Sequence, residues 1–432
     1  MDKRIVIIGA GVAGINAATK LVDNGYPGNL ITIIDKGNDP YNRLPEEVMT
    51  GMLGAGGWSD GKLTYHTAIG GVLSKYCGED KAMELMDQVI SNFRRFHPKP
   101  EEIFCSDPQA EPDFIKPYFG LRLFPVWHIG SNYLHEIAKA WYSYLTDKGV
   151  RFEWNTEVDD IDFNDSRVYT HNATIQYDEL IFAVGKSGID FGKQLADDYK
   201  LPTEPKSVQI GVRFEAPQKY FQKLIDISYD FKLYQKFDNV SLRSFCTNNN
   251  AAYVAVEETY GDISYNGHAK KGEEFRNDMT NFGILMEIKG IENPFEWSRE
   301  VVKKCQGGAS SKGNTGIFYS PDKNKMVSKT SENEWVMALK VDTLDIFKES
   351  MGEYADYILN FIDQMNKVFE FGDDWGMYIP EVKYLSPEPL VDYKNLALVD
   401  YPNVHFVGDA LSARGITVSG AQGIYVAESL IK

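Results

Sequence analysis

"RIVIIGAGVAGINAATKL" occupies residues 4–21, and its reading decides the fold. Ile5, Val6, Ile7 and Ile8 run without polar alternation, as a parallel strand covered on both faces requires. Gly9, Gly11 and Gly14 follow in the spacing G-x-G-x-x-G. Gly9 permits the tight turn, Gly11 lets the backbone approach a pyrophosphate, and Gly14 lets a helix pack close to the sheet. Ala10, Val12 and Ala13 complete the turn and open a helix over Val12 to about Asp23. Its first amides and positive dipole end face the phosphates. Gly25 and Pro27-Gly28 stop it. A second apolar run, "LITIID", closes at Asp35, about 20 residues past Gly14, where a ribose-binding carboxylate is expected. Lys36 follows it. A glycine-rich turn without a ligand is the alternative. Strand, triad, helix and carboxylate in this order favour a dinucleotide.

The chain has 432 residues, enough for two or three domains. Its net charge of -17 argues against a nucleic-acid backbone or an anionic membrane as the main partner. Cys77, Cys105, Cys246 and Cys305 form no Cys-x-x-Cys pair, which removes a zinc ribbon and a simple redox disulfide; no metal is expected. Isolated cysteines fit a reducing compartment. No apolar run reaches the roughly 18 residues of a membrane span, and no secretory leader is recognisable, so the expectation is a cytoplasmic protein.

The far C-terminal stretch narrows the choice of dinucleotide. "NVHFVGDALSARGITVSGAQGIYVAESLIK" (403–432) reads as a strand, a turn at Gly408-Asp409, and a small-residue helix after Gly415. Here the chain resembles flavoproteins of the glutathione-reductase-like, two-dinucleotide-fold superfamily. The resemblance implies tightly but non-covalently bound FAD, with Asp409 at its ribityl chain. It also implies that the helix begun by Ile416 and Thr417 faces the N1/O2 edge of the flavin. A positive dipole end there favours the negative charge of the reduced ring. "TIQYDELIFAVGKSG" (174–188) ends in Ala183-Val184-Gly185, similar to the family's Ala-Thr-Gly element with Val184 in place of threonine. "VRFEWNTEVDDI" (150–161) reads as a strand whose end, near Val158, offers the adenine backbone contacts in such folds. No second G-x-G-x-x-G follows a strand. If NAD(P)H reduces the flavin, it binds transiently.

Further segments resemble the NAD/FAD-utilising dehydrogenase family: "GAGGWSDGKL" (54–63), "HIGSNYLHEIAKAWYSYLTDKGVRFEWNTEV" (128–158), "VQIGVRFEAP" (208–217) and "RSFCTNNNAAYVAVEETYGDISYNGHAKKG" (243–272). The chain departs from that family after Cys246, where Thr247-Asn248-Asn249-Asn250 replaces a Cys-Pro-Gly-like turn. The fold expected is α/β: an FAD-binding Rossmann-like domain (ββα, three-layer) with a second α+β antiparallel-sheet substrate domain. The first is assigned to 1–75, 122–190 and 392–432, with 76–121 a helical excursion; the second, a cap, to 191–391. Its strands are "SVQIGVRFEA", "AAYVAVEE" and "WVMALKV", and 307–311 reads as a flexible loop.

Candidate reacting groups are fewer. Lys62 leaves the FAD domain where substrate would arrive, and could stabilise charge near the flavin or be a surface lysine. His66 could serve as acid or base, or be structural; Asp60 and Tyr65 lie in the same loop. Arg213, in an apolar strand, could anchor a carboxylate or phosphate or pair with a local acid. Cys246 reads as a buried thiol, Asn266-Gly267-His268 as a turn, and Arg414 as a contact to the pyrophosphate or substrate. The function expected is an FAD-dependent oxidoreductase passing a hydride between a small organic substrate and flavin N5, with an unidentified electron partner. A flavin enzyme modifying a nucleic-acid base, or a non-redox flavin lyase, is the alternative.

Overall fold

Four branched residues in a row at Ile5–Ile8 form the central strand of a five-stranded parallel sheet. The computed structural model describes residues 3–44, 47–71, 73–108, 110–204, 207–259, 262–269, 276–305, 317–321, 343–383 and 388–431. Two compact units result: Met1–Cys105, Val126–Lys206 and Ser386–Lys432 in the first, Ser106–Pro125 and Ser207–Leu385 in the second.

In the first unit the sheet order is Val404–Phe406, Glu179–Phe182, Ile5–Ile8, Ile31–Ile34, Arg151–Glu153. All four pairings are parallel, so every strand ends at the same edge. The helices that follow the first and last of these strands in sequence, Val12–Asp23 and Ile416–Ile431, both run back from that edge. They pack side by side through small residues: a Cβ on Gly423 would lie 2.1 Å from the Ala13 carbonyl oxygen. A three-stranded antiparallel sheet (Val158–Asp162, Arg167–Thr170, Thr174–Gln176) adds Ile161 and Val168 to the same core.

The helix Glu79–Phe96, expected to leave this domain, belongs to it. Its stripe of Leu85, Met86, Val89, Ile90 and Phe93 is buried in the first unit's core, and Val89 meets the last helix at Gly420. An amphipathic helix must cover its apolar face, and the small-residue helix Ile416–Ile431 supplies the surface. Residues 106–125 go instead to the second unit, where Gly120–Arg122 pairs with Lys232–Tyr234. Helix Ile189–Asp198 and the pairing of Thr203–Glu204 with Glu388–Pro389 fall within the first unit, so the boundaries differ from the expected 190 and 392.

The second unit is built on a seven-stranded antiparallel sheet in the order Ile317–Tyr319, Gly376–Lys383, Val208–Pro217, Met279–Ile288, Val240–Asn248, Lys232–Lys236, Gly120–Arg122. Strand Val208–Pro217 alternates with period two. Ile210, Val212, Phe214 and Ala216 enter a core shared with helix Tyr354–Phe369. Gly211, Arg213 and Glu215 take the opposite face, which the hairpin Ala252–Thr259/Asp262–Ala269 covers at Arg213. Asn266-Gly267-His268, expected as a turn, lies inside that hairpin's second strand, opposite Tyr253–Ala255. The reason is packing: a Cβ at Gly267 would sit 2.6 Å from an Arg213 guanidinium nitrogen, so only glycine lets the strand lie on the cluster beneath it. The expected strand "WVMALKV" and the loop 307–311 lie outside the described residues.

Candidate functional site

The two long helices of the first unit begin at one point. Val12 and Ile416, their first residues, both touch Gly56, whose added Cβ would lie 2.4 Å from Val12 Cγ2 and 3.5 Å from Ile416 Cγ1. Gly408 meets the Ala13 methyl beside them. Two sets of unpaired helix-start amides, and two positive dipole ends, therefore converge at the edge where the parallel strands finish.

The three glycines of the triad differ in what the protein itself asks of them. Gly9 has φ +106, and a Cβ on it would lie 2.3 Å from the Ala183 carbonyl oxygen. Gly14 would collide with the Gly9 carbonyl at 2.2 Å. Both are required by the fold. Gly11 has an ordinary φ of -67. Among the described residues its Cβ would meet nothing nearer than the Ala183 oxygen at 4.0 Å. The chain's own packing leaves room for a side chain there.

Asp35 ends the second strand as expected, but its carboxylate is a clamp. Oδ1 accepts from the Gly37 and Gly51 amides at 2.8 and 2.7 Å, and Oδ2 accepts from Ala10 at 2.7 Å. Oδ1 is saturated, so only Oδ2 keeps acceptor capacity for a ribose hydroxyl. Lys36 reaches across to the Ser187 carbonyl at 3.2 Å. The Asn155 and Thr156 amides bond to Gly37 and Asp35 carbonyls, which brings the approach to Val158 alongside this corner. Ala183 is tied to the Ile8 carbonyl at 2.8 Å. Gly185, at φ +62, faces open space.

At the other helix start, Gly408 donates to Gln422 Oε1 at 2.8 Å, which fixes the turn carrying Asp409. Asp409 pairs with Arg414 at 2.7 Å, so the Arg414 guanidinium is held to the turn rather than extended from it. Gly415 opens into space. Thr417, in the first turn of the last helix, is 3 % exposed, and its hydroxyl is buried with no hydrogen-bond partner among the described residues. A buried hydroxyl without a partner costs about 1–3 kcal/mol.

Sequence reasoning missed Arg43, which no spacing rule marks. Its guanidinium donates to the carbonyls of Glu47, Val48, Met52 and Gly54 at 2.6–3.2 Å and so shapes the loop that carries Gly51–Trp58. Burial holds it at about 10, below the usual arginine range, against the pull of Asp35 and Glu47. Inside the loop, Leu53 donates to the Ala10 carbonyl and lies in the left-handed region at φ 65.

The expected reacting groups fare unevenly. Lys62 is no exposed cation: it is 9 % exposed and its ammonium pairs with Asp60 at 2.7 Å. His66 accepts the Ala68 amide at Nδ1, 3.0 Å away, which leaves the ring proton on Nε2. In that tautomer it suits donation rather than general-base work. Its loop runs on to Gly70 and Gly71, which pack against Ser412–Arg414, beside the start of the last helix. Tyr65 donates to Asp87, and burial with that carboxylate pushes it up to about 12.

Arg213, read as an anchor for a carboxylate or phosphate or as the partner of a local acid, pairs with Glu381. It is fully buried in the second unit. It donates to Glu381 Oε1 at 2.7 Å, the Cys246 carbonyl at 3.0 Å and Asn266 Oδ1 at 3.2 Å. Of the two readings of its strand, pairing with a local acid holds. Cys246 sits half-buried in a bulge at φ 51. The asparagines that follow it are structural: Asn248 bonds Cys246 O and Asn281, Asn249 bonds Tyr229 O, and Asn250 exchanges bonds with Gln218.

Among the described residues, no group of three or more His, Cys, Asp or Glu side chains could hold a metal ion, and no helix is long and apolar enough to cross a membrane. No protein-family model and no curated protein matches the chain. Solved structures align over nearly all of it. Glycine oxidase from Geobacillus kaustophilus matches at 12% identity and TM-score 0.44, over 99% of this chain and 94% of that one. A flavoprotein/dehydrogenase from Cytophaga hutchinsonii matches at 12% and 0.43, over 100% and 78%. The halogenase PltM in complex with phloroglucinol and FAD matches at 12% and 0.42, over 99% and 68%.

Proposed function

We propose that this chain is an FAD-dependent oxidoreductase acting on a small organic substrate. The observation that carries the reading is Gly11. Gly9 and Gly14 are glycine because the protein would clash otherwise, whereas Gly11 has room for a side chain and an ordinary φ. A glycine that the fold does not need, at the mouth of a helix start, fits a ligand whose pyrophosphate approaches the backbone. The unpartnered Thr417 hydroxyl and the convergence of a second helix start make the same case for the far end of the cofactor. When bound, FAD supplies a two-electron acceptor that takes a hydride from substrate at N5.

The chain's own part is orientation and charge. The Val12 and Ala13 amides would take the pyrophosphate, Asp35 Oδ2 the adenosine ribose, and Asp409 the ribityl chain. The Ile416 and Thr417 end of the last helix would face the pyrimidine edge, where its dipole stabilises negative charge. His66, donating a hydrogen bond at Nε2, would polarise a substrate oxygen. Lys62, already compensated by Asp60, is assigned no such task.

The test is the absorption spectrum of the purified protein, with the released cofactor identified by mass. Bands near ~450 nm and the mass of FAD are expected. Gly11→Ala should fold with wild-type stability yet retain little flavin. A wild-type protein that stays colourless with added FAD refutes the assignment.

A further inference from the structure

We propose that Gln422 is a positioning residue: it holds the ribityl end of the cofactor cradle in register with the pyrophosphate end, and the preference of the chain for FAD over ADP is decided there. The proposal rests on the flavin reading above, in which Asp409 takes the ribityl chain.

Asp409 stands on the short helical turn Gly408–Leu411, and Gln422 spans that turn from behind. Its Oε1 accepts the Gly408 amide at 2.8 Å, and its Nε2 donates to the Leu411 carbonyl at 3.4 Å. One bond falls before Asp409 and the other after it. Gln422 is 1 % exposed, and Gly408 and Leu411 are buried with it. An amide accepts and donates at once without carrying a charge into that interior, where a carboxylate or an ammonium would be costly. The turn itself is tightly wound: Gly408 has φ 71 and Ser412 φ 55, and the Ser412 and Ala413 amides fold back onto the Asp409 and Gly408 carbonyls.

The brace leaves from a fixed point. The next residue, Gly423, lies on the backbone of Ala13, where an added Cβ would be 2.1 Å from the carbonyl oxygen. At Gly420 a Cβ would lie 2.9 Å from Val89 Cγ2 of helix Glu79–Phe96. Contacts with two different helices fix the rotation of the last helix, and with it the direction in which Gln422 departs. Ala13 belongs to the first turn of helix Val12–Asp23, whose amides would take the pyrophosphate. Gly408 returns to it, with its added Cβ 3.3 Å from the Ala13 methyl. Ala13, Gly423, Gln422 and Gly408 thus close a ring of contacts between the two ends of the cradle. A dinucleotide must meet both ends at one separation, and a site can do so only when its supporting residues are locked. Gln422 is assigned no contact with the cofactor; it acts through Asp409.

The experiment compares full-length wild type, Gln422→Met, Asp409→Ala and the double variant, each freed of flavin, by calorimetric titration with FAD and with ADP. ADP fills the pyrophosphate end alone and reports on it. Methionine keeps the length and helix preference of glutamine and removes both bonds. Gln422→Met should raise Kd for FAD roughly tenfold and leave Kd for ADP within about twofold of wild type. The double variant should bind FAD no more weakly than Asp409→Ala, because the effect of Gln422 passes through that carboxylate. If Gln422→Met does not fold, Gln422→Glu, which keeps the acceptor for Gly408 and loses the donor to Leu411, is held to the same weakening for FAD and not for ADP. A wild-type Kd for FAD in the Gln422 variant, an equal loss for ADP, or additive losses in the double variant overturns the positioning role and leaves the flavin reading standing. Wild-type protein that takes up no FAD overturns the flavin reading and this proposal with it.

Discussion

Arg213 tests whether a buried cation in the second unit serves structure or substrate. Arg213 and Glu381 are both fully buried and 2.7 Å apart. Removing one partner of such a pair costs about 3–5 kcal/mol, because the other charge is stranded. The two single substitutions should differ. Glu381→Leu leaves the guanidinium among neutral oxygens of Cys246, Asn266 and Asn281, and belongs at the upper end of that range. Arg213→Met leaves Glu381 with Lys383 still 3.3 Å away, and belongs at the lower end. The double variant strands neither charge, so its loss should fall short of the sum by at least about 2 kcal/mol. Urea unfolding followed by tryptophan fluorescence reads this directly. At a slope of roughly 3 kcal/mol/M, a loss of 3 kcal/mol moves the midpoint by about 1 M. An Arg213→Met protein with a wild-type midpoint but no turnover would refute the reasoning and return Arg213 to a ligand-facing role.

Three further outcomes are expected. Gly423→Ala should separate the two central helices, since its Cβ would sit 2.1 Å from backbone at Ala13, and should cost about 1–3 kcal/mol net of the helix-propensity gain. Gly420→Ala should cost less, because its nearest neighbours at 2.9–3.0 Å are side-chain ends of Val89 and Asn16; a thermal melt of both variants ranks them. Thr417→Val should stabilise the flavin-free protein by about 1 kcal/mol while weakening FAD binding several-fold, read by melting and by flavin fluorescence. Acid unfolding should report on the pairs Lys3–Glu179 and Arg4–Asp178, which bind the start of the first strand to its neighbour, and His405–Glu179, which joins that neighbour to the strand Val404–Phe406. Burial pushes Glu179 up, but hydrogen bonds from His405 and Lys3 outweigh it and leave the carboxyl below 4.5; the bond from Arg4 holds Asp178 at about 2. Both folded values are depressed, so this stability is full above the unfolded carboxyl range and is lost as pH falls below about 4. Glu179→Gln should flatten that acid limb in urea midpoints taken from pH 6 to 3.

What could be read from the sequence follows from how far apart the cooperating atoms lie along the chain. The first strand, the glycine turn and the helix Val12–Asp23 were legible to within a residue or so, because each is set by neighbours within a few positions. The position of Asp35 was legible, but its part in the fold was not. Spacing locates a carboxylate, whereas the amides of Ala10, Gly37 and Gly51 that it accepts from are brought together only by the folded loops. The helix Glu79–Phe96 showed its apolar stripe plainly, but a stripe does not name its partner, and the partner is the last helix of the chain. Arg213 and Glu381 stand 168 residues apart and meet only through the strand register. Asn-Gly at 266–267 is the strongest short turn signal, and it was overridden where a glycine was needed for another reason, to lie against Arg213. That same question, whether a glycine answers to its own backbone, to a neighbour, or to neither, separates Gly9 and Gly14 from Gly11. It is a question that periodicity cannot ask and packing can, and it is the reason the flavin reading rests on Gly11 rather than on the triad as a pattern.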